Sequence, residues 1–97
     1  MLKIKYHSTF KKDYKRIVKR GYDTNKLTKV INLLVQEQEL PPKYKDHNLK
    51  GNYKDVRECH KDVRECHIDP DWLLVYQISE EELILYLIRT GTHSDIF

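Results

Sequence analysis

No apolar run in these 97 residues approaches the roughly 20 that a bilayer-spanning helix needs, so no membrane role is expected. No secretory leader is expected either. Met1 runs straight into "LKIKYH", which alternates apolar and polar residues instead of following a basic segment with an apolar one. A cytoplasmic location follows as the expectation. Cysteine is scarce: Cys59 and Cys66 alone, each at the same place in a tandem copy, so free thiols are expected rather than a disulfide framework. No linker breaks the chain, and one domain over 1–97 is the reading.

What is present is charge. Charged residues make up 34% of the chain against 39% hydrophobic, as suits a small soluble globule with a heavily solvated surface. Net charge is only +3, yet residues 1–54 hold 14 Lys/Arg against 5 Asp/Glu while 55–97 hold 4 against 10. Such polarity fits a basic face for a polyanion, and equally a pair of solvated Lys-rich helices.

Periodicity outlines the elements. Residues 2–7 alternate as a strand with one wet face. Ser8 or Thr9 can cap a helix whose apolar stripe is Phe10, Tyr14, Ile17 and Val18, stopped by Gly21. Asp23 or Thr24 caps a second helix with Leu27, Val30, Ile31, Leu34 and Val35 on one face and Pro41 and Pro42 just past its end. A polar loop follows. "WLLVYQI" (72–78) reads as a central strand, Ser79 to Glu82 as an acidic turn, and "LILYLIRTGTH" (83–93) as a second buried strand running into a polar tail. The class is α+β: an N-terminal strand, a two-helix hairpin, then an antiparallel sheet of three or more strands packed on the helices.

One stretch resists this pattern. "KDVRECHKDVRECH" (54–67) is one heptad written twice. Side chains alternate along a strand and seven is odd, so both copies cannot show the same face to a core. One copy, 54–60 or 61–67, is therefore surplus to the strand. Cys59, His60, Cys66 and His67 supply four N/S donors, but neighbouring Cys and His point oppositely on a strand, so no metal site is expected.

With one copy removed, the motifs K-D-H-x-L-x-G, R-x-x-H-x-x-P-D-W and R-T-G-T-H, with the final Phe97, resemble the YafQ branch of the RelE-type bacterial toxins. That resemblance implies a RelE-like, microbial-RNase-like fold and a ribosome-dependent mRNA endoribonuclease without cofactor. It also implies a cognate RelB- or DinJ-like antitoxin as partner, in a hetero-oligomer. It places His47, His67, Asp71, Arg89 and His93 in the catalytic set, and Trp72, Phe97, Lys45 and Lys50 on the RNA. His67 is taken as the site histidine because it keeps the short step to Asp71; His60 is the alternative.

The residue types suit cleavage of RNA by its own 2′-hydroxyl. Histidine serves as acid or base near neutrality, arginine forks onto phosphate oxygens, and Asp71 is either a base or the group that orients an imidazole. Each residue also has a plainer reading. His47 sits on the surface, His67 caps a turn, and Arg89 pairs with the Glu80–Glu82 turn. His93 and Phe97 fray, and Trp72 fills the core. Two further classes stand beside the nuclease: a non-enzymatic ParE-type binder of a topoisomerase, and an inactive remnant that still binds antitoxin.

Overall fold

The computed structural model describes residues 1–48 and 63–97. The first heptad copy (54–60), Lys50, Cys59 and His60 lie outside the described residues.

The chain runs β1 (Lys3–Tyr6), α1 (Ser8–Lys19), α2 (Thr24–Val35), a short 3-10 turn (Pro42–Tyr44), β2 (His47–Asn48), β3 (Val63–Asp69), β4 (Trp72–Ser79), β5 (Ile84–Gly91) and α3 (His93–Ile96). One five-stranded sheet has the order β1-β5-β4-β3-β2. Its pairs are antiparallel except β1 with β5, which run parallel. The α+β expectation holds, with that one parallel edge added.

Residues 63–67, from the second heptad copy, form most of β3, with Val63 opposite Gln77 and His67 opposite Leu73 on β4. Alternation then sorts the core. Cys66, Trp72, Leu74, Tyr76, Leu85 and Leu87 join Phe10, Ile17, Leu27, Val30 and Leu34 in the layer between sheet and helices. Val63, Leu73, Val75 and Ile88 turn to the other face and meet Ile96 of α3.

The helix boundaries have local causes. Asp23 caps α2 by accepting from the Asn25 N–H at 3.0 Å. For α1 the N-cap is His7, without a side-chain bond, so neither Ser8 nor Thr9 caps it. The Thr9 hydroxyl donates instead to the Ile88 carbonyl at 2.8 Å, tying α1 to β5. Gly21 takes φ +80° just past α1, where a side chain is disfavoured, and the chain reverses into α2.

The apolar stripe of α1 is narrower than its spacing suggests. Phe10 and Ile17 are buried, but Tyr14 and Val18 are partly exposed and Asp13 lies inside at 1% exposure. Asp13 accepts from Arg89 Nε at 2.7 Å, Arg89 Nη2 at 3.0 Å and the Thr90 N–H at 3.2 Å. A register shift between β4 and β5 falls here, where Val75 opposes Arg89 but Tyr76 opposes Leu87.

Candidate active site

The polar tail is a short capped helix rather than frayed chain. The Thr92 hydroxyl accepts from the Asp95 N–H at 3.2 Å, and Asp95 Oδ2 accepts from the Thr92 N–H at 3.0 Å. This reciprocal box fixes α3, which carries His93. From α1, Arg20 closes a fork on the Asp95 carboxylate at 2.6 and 3.1 Å. The Arg20 hydrogen bond holds the Asp95 carboxyl well below the usual carboxylate range.

At the far end of the sheet, the two-residue strand β2 pairs with β3, His47 opposite Glu65. Its approach is braced by Asp46, which accepts from Arg64 at 3.1 and 3.2 Å and from the Tyr76 hydroxyl at 2.6 Å. The Asp46 hydrogen bond pushes the Arg64 guanidinium further up, while burial, then Asp46, pushes the Tyr76 phenol up. Both stay fixed in charge as struts for the His47 segment.

Between these two supports three imidazoles stand in a row. The His47 and His67 ring centroids are 6.2 Å apart, and His67 and His93 are again 6.2 Å apart. His47 Nδ1 lies 2.6 Å from the Lys45 carbonyl. A carbonyl only accepts, so Nδ1 carries the hydrogen and neutral His47 keeps its lone pair on Nε2. The Phe97 ring lies 6.0 Å beyond His93 and is 55% exposed.

Two carboxylates attend the row. His93 Nδ1 lies 3.6 Å from Asp71 Oδ1, and the His93 N–H points to the same oxygen at 3.5 Å. The second carboxylate, Glu65, was absent from the expected set. It is 5% exposed, and its Oε1 lies 3.7 Å from Nε2 of both His47 and His67. The signal was present: Glu65 and His67 are two apart on one strand and share a face.

The remaining expected residues divide. Lys45 is exposed beside His47. Arg89 is not paired with the Glu80–Glu82 turn. Its guanidinium is turned to Asp13 and, through Nη2, to the Asp95 carbonyl at 3.2 Å, with 14% of the side chain exposed. Trp72 is 2% exposed, donates its indole N–H to Thr90 Oγ1 at 2.9 Å and meets Tyr22 edge-on at 5.0 Å. It fills the core and offers no open ring face to a base. Cys66 is a buried free thiol, pushed up by burial. Among the described residues no three His, Cys, Asp or Glu side chains are placed to hold a metal ion, and no helix is long and apolar enough to cross a membrane.

A two-helix hairpin on one face of a mixed sheet and a histidine row near a short C-terminal helix define a RelE-like toxin fold. Comparison with known proteins narrows this. The family profile for the bacterial toxin of type II toxin-antitoxin systems, YafQ, matches residues 2–63 and again 61–97, the two matches overlapping inside the second heptad. The chain belongs to the YafQ family of the RelE/ParE-like toxins. It is 38% identical over 95 residues to the mRNA interferase toxin YafQ of Escherichia coli K12, covering 97% of this chain and 94% of that one. A metal-bound toxin from Helicobacter pylori superposes with TM-score 0.87 at 50% identity, covering 100% of both chains. The toxin of the E. coli DinJ-YafQ complex superposes with TM-score 0.83 at 37% identity, covering 100% of this chain and 99% of that one.

Proposed function

We propose that the chain is the toxin of a toxin–antitoxin pair and cuts mRNA on the ribosome, using the 2′-hydroxyl beside the scissile phosphate as nucleophile. One observation carries this: three imidazoles in a row at 6.2 Å spacing, attended by Glu65 and Asp71. A phosphodiester set between neighbouring rings has a base on its 2′-oxygen side and an acid on its 5′-oxygen side. The base takes the hydroxyl proton as O2′ bonds to phosphorus. The P–O5′ bond breaks, and the acid protonates the departing oxygen. The products are a 2′,3′-cyclic phosphate and a 5′-hydroxyl.

Roles follow from the surroundings. Glu65 and Asp71 orient the imidazoles. Phe97, open beside His93, is a platform for a base. Lys45, with Lys50, meets phosphate. Arg89 acts from beneath as a positioning residue, because its fork is filled by Asp13 and it holds the α3 backbone that carries His93. The antitoxin is a DinJ-like protein, as in the E. coli DinJ-YafQ complex.

The test is single-turnover cleavage of ribosome-bound mRNA. Replacing His47, His67 or His93 by Gln should each slow cleavage by roughly 10²–10⁴. Cleavage and growth arrest that survive His93→Gln would leave the fold to a non-enzymatic role.

A further inference from the structure

Four residues of the R-T-G-T-H motif, Arg89, Thr90, Thr92 and His93, make contacts in or beneath the site, and one, Gly91, has no side chain to do so. Gly91 ends β5 opposite Leu73 on β4, and Leu73 is itself opposite His67 on β3. The three form one cross-strand row on one face of the sheet. Over that face folds α3, with Ile96 packed among Leu73, Val75 and Ile88. The approach is close because position 91 is bare. Its φ of +147° is one that residues with side chains rarely adopt. A Cβ there would lie 2.9 Å from Asp95 Oδ2 and 3.1 Å from Asp95 Cβ. The carboxylate, meanwhile, is held in place. Its Oδ2 accepts from Arg20 Nη1 at 2.6 Å and from the Thr92 N–H at 3.0 Å, and its Oδ1 accepts from Arg20 Nη2 at 3.1 Å. Turning it aside would break those bonds and still leave the Asp95 Cβ, which moves only with the α3 backbone.

We infer that Gly91 and Arg20 are positioning residues for His93, setting its distance from His67 and Asp71 through Asp95. This deepens the nuclease reading and rests on it. Gly91 lets α3 down onto the sheet, and Arg20 holds it there from the end of α1. His93 is the first residue of α3, whereas His67 lies on β3 and Asp71 in the turn between β3 and β4. Raising α3 therefore disturbs the approach of His93 to both partners at once. The His47–His67 spacing is set by the pairing of β2 with β3, which α3 does not enter, and stays as it is.

The experiment is a double-mutant cycle on the full chain, read as single-turnover cleavage of mRNA on saturating ribosomes. Relaxing 2.9 Å to an ordinary contact of 3.4 Å takes about 0.5 Å of movement. A misplacement of about 1 Å can cost roughly 10²-fold, so Gly91→Ala should slow cleavage by roughly 10-fold. The same fall should appear in a His47→Gln background and vanish in a His93→Gln background, because the displaced ring is then already gone. Arg20→Ala reaches the same clamp from an exposed side chain, without touching the core, and should show the same dependence on His93. Lys19→Ala removes a neighbouring cation and should leave the rate unchanged. Ring resonances of the histidines, followed by NMR, should shift for His93 and hold for His47 in both the Gly91 and Arg20 variants.

Cleavage by Gly91→Ala and Arg20→Ala at the unsubstituted rate overturns the inference. So does an equal fall in the His93→Gln background, since the loss then runs through some other part of the fold. An equal fall with Lys19→Ala also overturns it, because charge on α1 and not the fork would be responsible. Should Gly91→Ala fail to fold, the Arg20 cycle alone decides. The unsubstituted chain, measured alongside, separates the two readings. A chain that cuts mRNA while both variants cut equally well keeps its nuclease site and loses the clamp. One that never cuts, yet shows the His93 resonances moving alone, keeps the clamp and loses the nuclease reading.

Discussion

Replacing Asp13 with Ala tests the architecture beneath the site. Asp13 is 1% exposed and receives three N–H groups, two from Arg89 and one from the Thr90 backbone. Its loss takes away the carboxylate that holds a guanidinium of 14% exposure by two bonds, although the bond from that guanidinium to the Asp95 carbonyl stays. It also orphans the Thr90 N–H, which lies in the buried layer. Removing one member of a buried ion pair costs about 3–5 kcal/mol. For a domain of this size that lowers the melting temperature by roughly 12–40 °C, given about 4–8 °C per kcal/mol. Urea unfolding followed by circular dichroism measures the loss directly. The decisive comparison is the double replacement Asp13→Leu with Arg89→Met, which removes both charges and keeps the volume filled. It should recover most of the loss, because no unpaired charge remains. The reasoning is refuted if Asp13→Ala costs under about 1 kcal/mol, the range of a solvated surface pair, or if the double variant is as unstable as the two single losses combined.

Other outcomes follow from the same contacts. Asp95 has its folded-state carboxyl held below the ordinary value by Arg20, so its contribution is complete above about pH 4 and fades as pH falls through the lower folded value. Asp95→Asn should therefore be less stable than the unsubstituted chain at pH 7 and should converge with it as the medium is acidified in urea titrations; a constant gap from pH 7 to pH 2 would contradict the pairing. Glu65→Gln keeps the shape but drops the charge shared by His47 and His67. Cleavage under single-turnover conditions should slow by up to about 10²-fold, as for a small misplacement of reacting groups, with unfolding little changed; full activity would leave Glu65 without a role. Deleting residues 54–60 should preserve both fold and cleavage rate, since 63–67 already supply the partners of Asp46, Glu65 and the core. A shortened chain that no longer cuts would show that the first copy is needed.

How much of this can be read from the sequence depends on where each residue's partner lies. The apolar runs of 72–78 and 83–91 specify strands buried on both faces, and they form β4 and β5. The α2 stripe is likewise legible, because Leu27, Val30 and Leu34 bury at helical spacing. α1 is harder, since a charged residue at a core position reads as solvated until Arg89, 76 positions away, is known to meet it. The C-terminal tail shows the same limit. Thr92 and Asp95 spell a capping box, but without an apolar run behind them the signal for α3 is faint. The parallel pairing of β1 with β5 joins the two ends of the chain, and local pattern carries no trace of it. Within the site, motif spacing brings forward His47, His67, Asp71 and His93. Glu65 lies inside the duplicated heptad, and no local pattern marks its approach to His47 on another strand. Trp72 is a stacking candidate through the P-D-W motif and its residue type, and its bond to Thr90 and contact with Tyr22 hold it in the core.

The central claim is that an RNA hydroxyl, activated by this imidazole row, is the nucleophile. Its most direct test is the chemistry of the cut ends when the purified chain acts on mRNA in translating ribosomes, read by mass spectrometry of the fragments. A 2′,3′-cyclic phosphate on one fragment and a 5′-hydroxyl on the other, both lost with His67→Gln, is the predicted result. Fragments ending in a 3′-hydroxyl and a 5′-phosphate, or cuts that persist without His67, would contradict it.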